Sequence, residues 1–76
     1  MIREFDTVVL THDAPEYGLR RGDVGAVVHR YEDRHAFEVE FVTAEGKTIA
    51  VLTLTEADLR PMEGGEILHV RQMTPA

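Results

Sequence analysis

Three closely spaced glycines in the first third of the chain constrain its fold more than any other feature. Gly18, Gly22 and Gly25 lie in the segment 17–28, YGLRRGDVGAVV, between a short apolar segment and a longer one. Glycine adopts positive φ without a steric penalty and lets neighbouring backbones approach closely. The spacing therefore predicts a sharp turn followed by a tightly packed strand, which is typical of the first long loop of small SH3-like barrels.

Alternating apolar residues, separated by turn residues, divide the chain into short strands. The segments that carry this signal are 6–11, 24–31, 36–42, 48–54 and 59–62. Short helical turns are predicted at 15–17 and, with Thr55 as N-cap, at 55–58. We therefore predict an all-β fold: a small SH3-like barrel of about five antiparallel strands with a short helical turn before the last core strand. The barrel spans residues 1–62, and residues 63–76 form a C-terminal tail.

The predicted core follows from which faces of these strands are apolar. Phe37, Val39 and Phe41 fall on one face of segment 36–42 and two glutamates on the other, so this strand is half-buried. In segment 48–54 apolar residues fall on both faces near its end, which indicates a bulge or burial on two sides. The expected core is Val8, Leu10, Leu19, Val24, Val27, Val39, Phe41, Val51, Leu54 and Leu59.

Composition excludes several classes of enzyme. The 76 residues make one small domain and include no cysteine, serine, asparagine or tryptophan. A serine triad, a cysteine nucleophile and a thiolate metal site are therefore impossible within this sequence. We expect no catalytic residue, no cofactor and no metal site.

Charge and hydropathy predict the cellular location of the protein and the classes of partner that it avoids. The net charge of −6 repels phosphate backbones, so a nucleic-acid partner is disfavoured. The first residues are charged and lack an apolar run, and no stretch approaches the roughly 20 apolar residues of a membrane span. We therefore expect a cytoplasmic protein without a membrane partner.

Four residues are the candidate binding residues: Tyr17, Arg20, Arg21 and Tyr31. The two tyrosines, with acidic neighbours, suit a basic or proline-rich segment of another protein. The two arginines, together with Arg30 and Arg34, suit a basic rim that contacts RNA. The simpler alternatives are that Tyr17 packs over its own loop and that the arginines form scattered salt bridges.

Other titratable residues have structural explanations. His12 lies near two carboxylates on one loop, but a metal needs further converging ligands, so we expect the histidines to be solvated. Glu38 and Glu40 match the solvated face of an amphipathic strand. Asp23 is expected to bind the backbone of its own turn.

The tail carries an apolar segment whose partner the sequence leaves open. Ile67, Leu68 and Val70 follow the flexible pair Gly64–Gly65. They either add a strand to the sheet of their own domain or pair with a second chain, which predicts a homodimer through residues 66–71. Residues 72–76 are expected to be frayed.

In five short runs the chain resembles the domain of unknown function 4926 family. These runs are Asp6–Leu10, Pro15–Leu19, Gly22–Gly25, Glu38–Phe41 and Leu59–Pro61. The resemblance covers residues 5–71, and Pro-Glu-Tyr-Gly-Leu followed by Gly-Asp-x-Gly is its most specific part. The second motif alone is weakly similar to KOW-type barrels and to the nitrile hydratase β subunit. The family resemblance implies a small bacterial SH3-like protein without an assigned activity.

The combined interpretation is a small non-catalytic protein-binding module, acting as an antitoxin-like or accessory subunit. Its expected partner is another protein, and a basic one, because an acidic domain complements a basic surface. The alternative is a KOW-like nucleic-acid-binding module.

Overall fold

A computed structural model describes residues 2–73, and its strands form one antiparallel sheet. Its strands are β1 Thr7–Leu10, β2 Val24–Tyr31, β3 Ala36–Val42, β4 Thr48–Thr55 and β5 Leu59–Pro61. Two single 3₁₀ turns, Pro15–Tyr17 and Glu32–Arg34, precede and follow β2. The strand order is β4-β3-β2-β1-β5, and every neighbouring pair is antiparallel. The predicted all-β fold of five antiparallel strands is confirmed.

The sheet curls around a single apolar core. Buried residues of all five strands join one cluster, including Leu52 on β4 and Leu59 on β5. Because β4 and β5 lie at opposite edges of the sheet, their meeting in one cluster requires the sheet to bend around its buried face. In the described residues no ladder joins β4 to β5, so closure into an SH3-like barrel stays a prediction.

Gly18 and Gly22 of the β1–β2 loop and Gly25 of β2 have the roles that their spacing predicts. Gly18 and Gly22 have φ of 71° and 94°, so both turn the chain in the left-handed region. A Cβ added at Gly25 would lie 2.7 Å from Val39 Cγ1 and 2.9 Å from Phe41 Cε1. Gly25 therefore lets the core side chains of β3 pack directly against the backbone of β2.

The predicted core is wrong at two valines. Val24 and Val51 are 42% and 49% exposed, respectively. Val51 lies opposite Glu40 on the outer face, because the residues at 50, 52 and 54 take the core-facing positions of β4. Val24 precedes the core-facing Gly25 and so points outward. The register shift in the β3–β4 ladder falls at Phe41/Val42, at the start of β4 and not near its end.

The connection before β5 is a hydrogen-bonded turn where a helical turn with Thr55 as N-cap is predicted. Asp58 N donates to the Thr55 carbonyl at 3.0 Å, and Asp58 Oδ2 accepts from Thr55 N at 2.9 Å. The Asp58 side chain, and not that of Thr55, is thus the hydrogen-bond acceptor in this turn. The chain enters β5 at Leu59 before a helix forms. The helical turn predicted at 15–17 is confirmed as a single 3₁₀ turn.

The tail leaves β5 at Pro61 and contains no strand as far as Met73. Glu66 N donates to the Glu63 carbonyl at 3.1 Å and closes a turn around Gly64–Gly65. The strand that was predicted to complete the domain's own sheet is therefore absent from residues 66–73. The part of the fraying prediction that concerns residues 74–76 lies outside the described residues. Neither 3₁₀ turn in the described range has the length or apolarity to cross a membrane.

Candidate functional site

The start of the tail is fixed by an ion pair with β5. Arg60 Nη1 and Nη2 donate to the two carboxylate oxygens of Glu66 at 2.7 and 2.6 Å. The Glu63 N–H donates to the same carboxylate at 2.7 Å. The Arg60 guanidinium, helped by this backbone N–H, lowers the pKa of Glu66 to about 2. A bidentate arginine–carboxylate pair has a defined geometry, so the tail departs from β5 in a fixed direction.

The end of the tail is fixed by a second ion pair, to the β1–β2 loop. Arg71 Nε and Nη2 donate to Asp23 Oδ1 and Oδ2 at 2.8 and 2.5 Å, and Nη2 also donates to the Gly18 carbonyl at 2.9 Å. The side chains of Asp23 and Arg71 are only 18% and 23% exposed. We call the Asp23 carboxylate and the Gly18 carbonyl together the guanidinium site.

The Asp23 carboxylate is oriented by its own turn, as the sequence predicts. Asp23 Oδ2 accepts from the Arg20 N–H at 2.8 Å. Burial raises the pKa of Asp23, but the hydrogen bonds from Arg71 and from the Arg20 N–H outweigh it and hold the pKa below its ordinary value. The carboxylate is thus charged and held in place at neutral pH.

Between the two ion pairs lies an exposed apolar stretch, residues 67–70, which we call the tail segment. Ile67, Leu68 and Val70 are 93%, 71% and 89% exposed. Within the described part of the chain, the backbone of this segment makes no hydrogen bond. The segment therefore presents apolar side chains and unpaired backbone groups while both of its ends are held.

A groove of about 520 Å³ lies beside the end of the tail. It is lined by Leu19 and Phe41 of the core, by Ile49 of β4, and by Arg71 and Met73 of the tail. A Cβ added at Gly18 would lie 3.2 Å from Met73 Cε. Arg71 and Met73 thus approach the β1–β2 loop, whereas Val70 points to solvent.

The four candidate binding residues do not form one surface. Tyr17, Arg20 and Arg21 lie on the β1–β2 loop, and Tyr31 ends β2. The eight-residue strand β2, about 23 Å long at about 3.3 Å per residue, lies between the two groups. For the same reason Arg30 lies far from the loop arginines, so the predicted basic rim is divided between two ends of the sheet.

Tyr31 is engaged by its own neighbours. Its ring meets the His29 ring edge-to-face at 4.5 Å, and Arg34 Cζ lies 4.1 Å from its centroid. The adjacent groove of about 760 Å³ is lined by charges of both signs, with Glu4 Oε2 3.1 Å from His29 Nδ1. A nucleobase that stacks on this face of Tyr31 must first displace Arg34.

His12 joins the end of β1 to the turn before β5. Its Nε2 lies 2.7 Å from Asp58 Oδ1, and its Nδ1 lies 2.9 Å from the Asp13 carbonyl. Both partners are acceptors, so the protonated ring can donate to each. The Asp13 carbonyl and then the Asp58 carboxylate raise the pKa of His12. Among residues 2–73 no group of three or more histidines and carboxylates is placed to hold a metal ion.

Sequence reasoning missed the guanidinium site and Arg71. Asp23 was predicted to cap its own turn, and it does so, but its ion pair spans 48 positions. A lone arginine after an apolar stretch carries no local signal for such a contact.

The fold and the tail together define a class: a small all-β domain with one curled antiparallel sheet and a C-terminal segment held on its surface. A family model described as "Domain of unknown function (DUF4926)" matches residues 4–61, most of the chain. The chain therefore belongs to that family. The match ends at the last residue of β5, so the tail lies beyond it. Comparisons with curated proteins and with solved structures gave no match.

Proposed function

We propose that this protein is a non-catalytic module that binds another protein through its tail segment, residues 67–70. The observation that carries the proposal is the exposure of Ile67, Leu68 and Val70 in a segment whose two ends are fixed. Single exposed apolar residues are ordinary, but three within four residues form a patch. Because the ion pairs order the segment in advance, binding loses less conformational entropy.

The backbone of the tail segment favours one mode of binding. Its N–H and C=O groups have no backbone partner in the described residues, so the edge of a partner's sheet can pair with them. In this mode the main chain supplies hydrogen bonds and the apolar side chains supply buried area. A strand without a partner strand is unstable. This agrees with the absence of strand pairing for residues 67–70 within one copy of the chain.

The partner is a basic protein. The chain carries a net charge of −6, and Glu63 and Glu66 directly precede the tail segment. Complementary charge raises the association rate and disfavours acidic competitors. A small acidic domain that covers a basic surface acts as an accessory or antitoxin-like subunit, and that is the finer role we propose.

The KOW-like alternative has weaker support. A nucleic-acid surface requires basic and aromatic side chains along one track. Arg20 and Arg21 share the β1–β2 loop with a single aromatic residue, Tyr17. The second aromatic, Tyr31, lies at the far end of β2, and Arg34 covers one face of its ring. This arrangement favours protein binding over nucleic-acid binding.

The test compares three full-length baits in extracts of the source cells, with quantitative mass spectrometry and a nucleic-acid stain. The baits are the wild type, the Ile67→Asp/Val70→Asp double variant and Phe5→Asp as the control. Phe5 is 81% exposed in a separate turn, and its φ of 69° suits aspartate better than phenylalanine. We expect a basic protein, retained in about 0.2 M salt, that is lost with the tail variant and kept with the control.

Equal recovery of every protein by the tail variant and the control would contradict the proposal. Recovery of nucleic acid alone at that salt concentration would replace it with the KOW-like alternative.

A further inference from the structure

The guanidinium site is built by the β1–β2 loop without help from the tail. The Arg20 N–H orients the Asp23 carboxylate, and Gly18 N donates to the Pro15 carbonyl at 3.1 Å. The left-handed φ of Gly18 then points its own carbonyl out of the 3₁₀ turn. Both acceptors are therefore fixed by residues 15–23, and Arg71 is a ligand that the tail supplies.

Two adjacent glycines with open space around them connect the tail to the sheet. A Cβ added at Gly64 or Gly65 would meet no atom within 4 Å. Two adjacent glycines have wide conformational freedom, and the described contacts across this joint are the turn bonds between Glu63 and Glu66 and the Arg60–Glu66 ion pair. Opening this turn together with the two ion pairs releases residues 66–73 from the sheet, and none of these residues belongs to the buried core cluster.

We propose that the guanidinium site also binds Arg71 of a second copy of this chain, so that two copies exchange their tails around Gly64–Gly65. In the exchanged dimer, the Arg71–Asp23 and Arg60–Glu66 pairs form between copies with the geometry they have within one copy. Exchange of identical elements is a low-cost route to a symmetric dimer, because few contacts are lost. The inference gives the homodimer predicted through residues 66–71 a specific contact.

The charge and the positions of its acceptor groups make the guanidinium site selective for a guanidinium group. The site offers a carboxylate and a carbonyl, both acceptors, in positions that match three N–H groups of one planar guanidinium. A lysine ammonium lacks the planar fork, so Arg71→Lys is a poor substitute. The inference goes beyond the proposed function, because it concerns what Arg71 binds and not what the apolar side chains of residues 67–70 bind.

The test mixes two full-length variants, Asp23→Arg and Arg71→Asp. Each variant alone places like charges at positions 23 and 71, so neither can form the contact within one copy or with itself. In an equimolar mixture, position 71 of each variant faces an opposite charge at position 23 of the other. We expect native mass spectrometry to show a mixed dimer in roughly tenfold excess over either homodimer. A mixture that remains as monomeric as its components overturns the proposal.

A second measurement leaves the loop unchanged, since Asp23→Arg also removes the acceptor of the Arg20 N–H. The full-length Arg71→Ala variant is titrated with a synthetic peptide of residues 66–73 and with the same peptide carrying alanine in place of Arg71. We expect the arginine peptide to bind roughly tenfold more tightly and to shift the amide resonances of Gly18 and Asp23. Equal binding of the two peptides, or binding of neither, overturns the proposal.

Discussion

Arg71 donates two hydrogen bonds to the carboxylate of Asp23, at 2.8 and 2.5 Å, across 48 positions of the sequence. The pair fastens the end of the tail to the loop between β1 and β2. Since Arg60 and Glu66 fasten its beginning, the apolar residues between them are displayed to solvent. The proposed binding surface depends on the two ion pairs that hold the tail, so their contribution to the stability of the fold is the first property to measure.

Removal of the Arg71 side chain should destabilise the fold. Arg71→Ala leaves the Asp23 carboxylate partly buried without its guanidinium, so we expect the free energy of unfolding to fall by about 1–3 kcal/mol. Arg21→Ala is the control, because the recorded contact of Arg21 is through its backbone N–H. Urea denaturation measures both, and we expect the control to change by no more than about 0.5 kcal/mol. Equal effects of the two substitutions would show that the ion pair contributes nothing.

The contribution of Asp23 should depend on acid pH. The folded pKa of Asp23 is lowered, so its stabilisation is complete above the unfolded pKa of about 3.9 and is lost as the pH falls through the folded value. The stability difference between the wild type and Asp23→Asn should therefore shrink between about pH 5.5 and pH 2.5. Thermal unfolding at several pH values measures it, with Asp33→Asn, on the exposed Glu32–Arg34 turn, as the control. A constant difference over this range would exclude the predicted linkage.

His12 should stabilise the fold in the opposite pH range. Its folded pKa is raised, by the Asp13 carbonyl first and Asp58 next, so its stabilisation is complete below the unfolded pKa of about 6.5. It is lost as the pH rises through the folded value. We expect His12→Gln to lower the melting temperature more at about pH 5.5 than at about pH 8.5. A His12 effect that grows with pH would contradict the assignment.

Glycine is required at position 25 by packing. The Cβ of Gly25→Ala would lie 2.7 Å from Val39 Cγ1 and 3.1 Å from the Glu40 carbonyl oxygen, and neither the core nor the strand backbone can move freely. We expect Gly25→Ala to cost about 1–3 kcal/mol of unfolding free energy. Gly64→Ala is the matched control, since its Cβ meets nothing within 4 Å. Chemical denaturation of both variants checks this, and equal stabilities would refute the packing argument.

The features that the sequence predicted well are local. The bounds of β2 and β3 agree with the predicted segments 24–31 and 36–42, since alternation and flanking turns determine them. Gly18 and Gly22 adopt the positive φ that the β1–β2 turn requires. These properties depend on residues a few positions apart, which a single sequence displays.

The features that the sequence predicted poorly depend on strand register or on contacts between residues distant in the chain. Val51 was placed in the core although it lies three positions from Leu54, and two residues at that spacing cannot share one face of a regular strand. The pairing of Arg71 with Asp23 depends on the path of the whole tail. The separation of Tyr31 from Tyr17 depends on the length of β2 and on the side of the sheet at which each loop lies.

The most direct test of the account is backbone hydrogen exchange of residues 67–70, in the free protein and with the captured partner. In the free protein we expect rapid exchange, because these amides make no backbone hydrogen bond in the described structure. Bound to the partner, the same amides should exchange much more slowly, while those near Phe5 remain unchanged. Protection elsewhere on the surface, with residues 67–70 still exchanging rapidly, would contradict the claim that the tail segment is the binding surface.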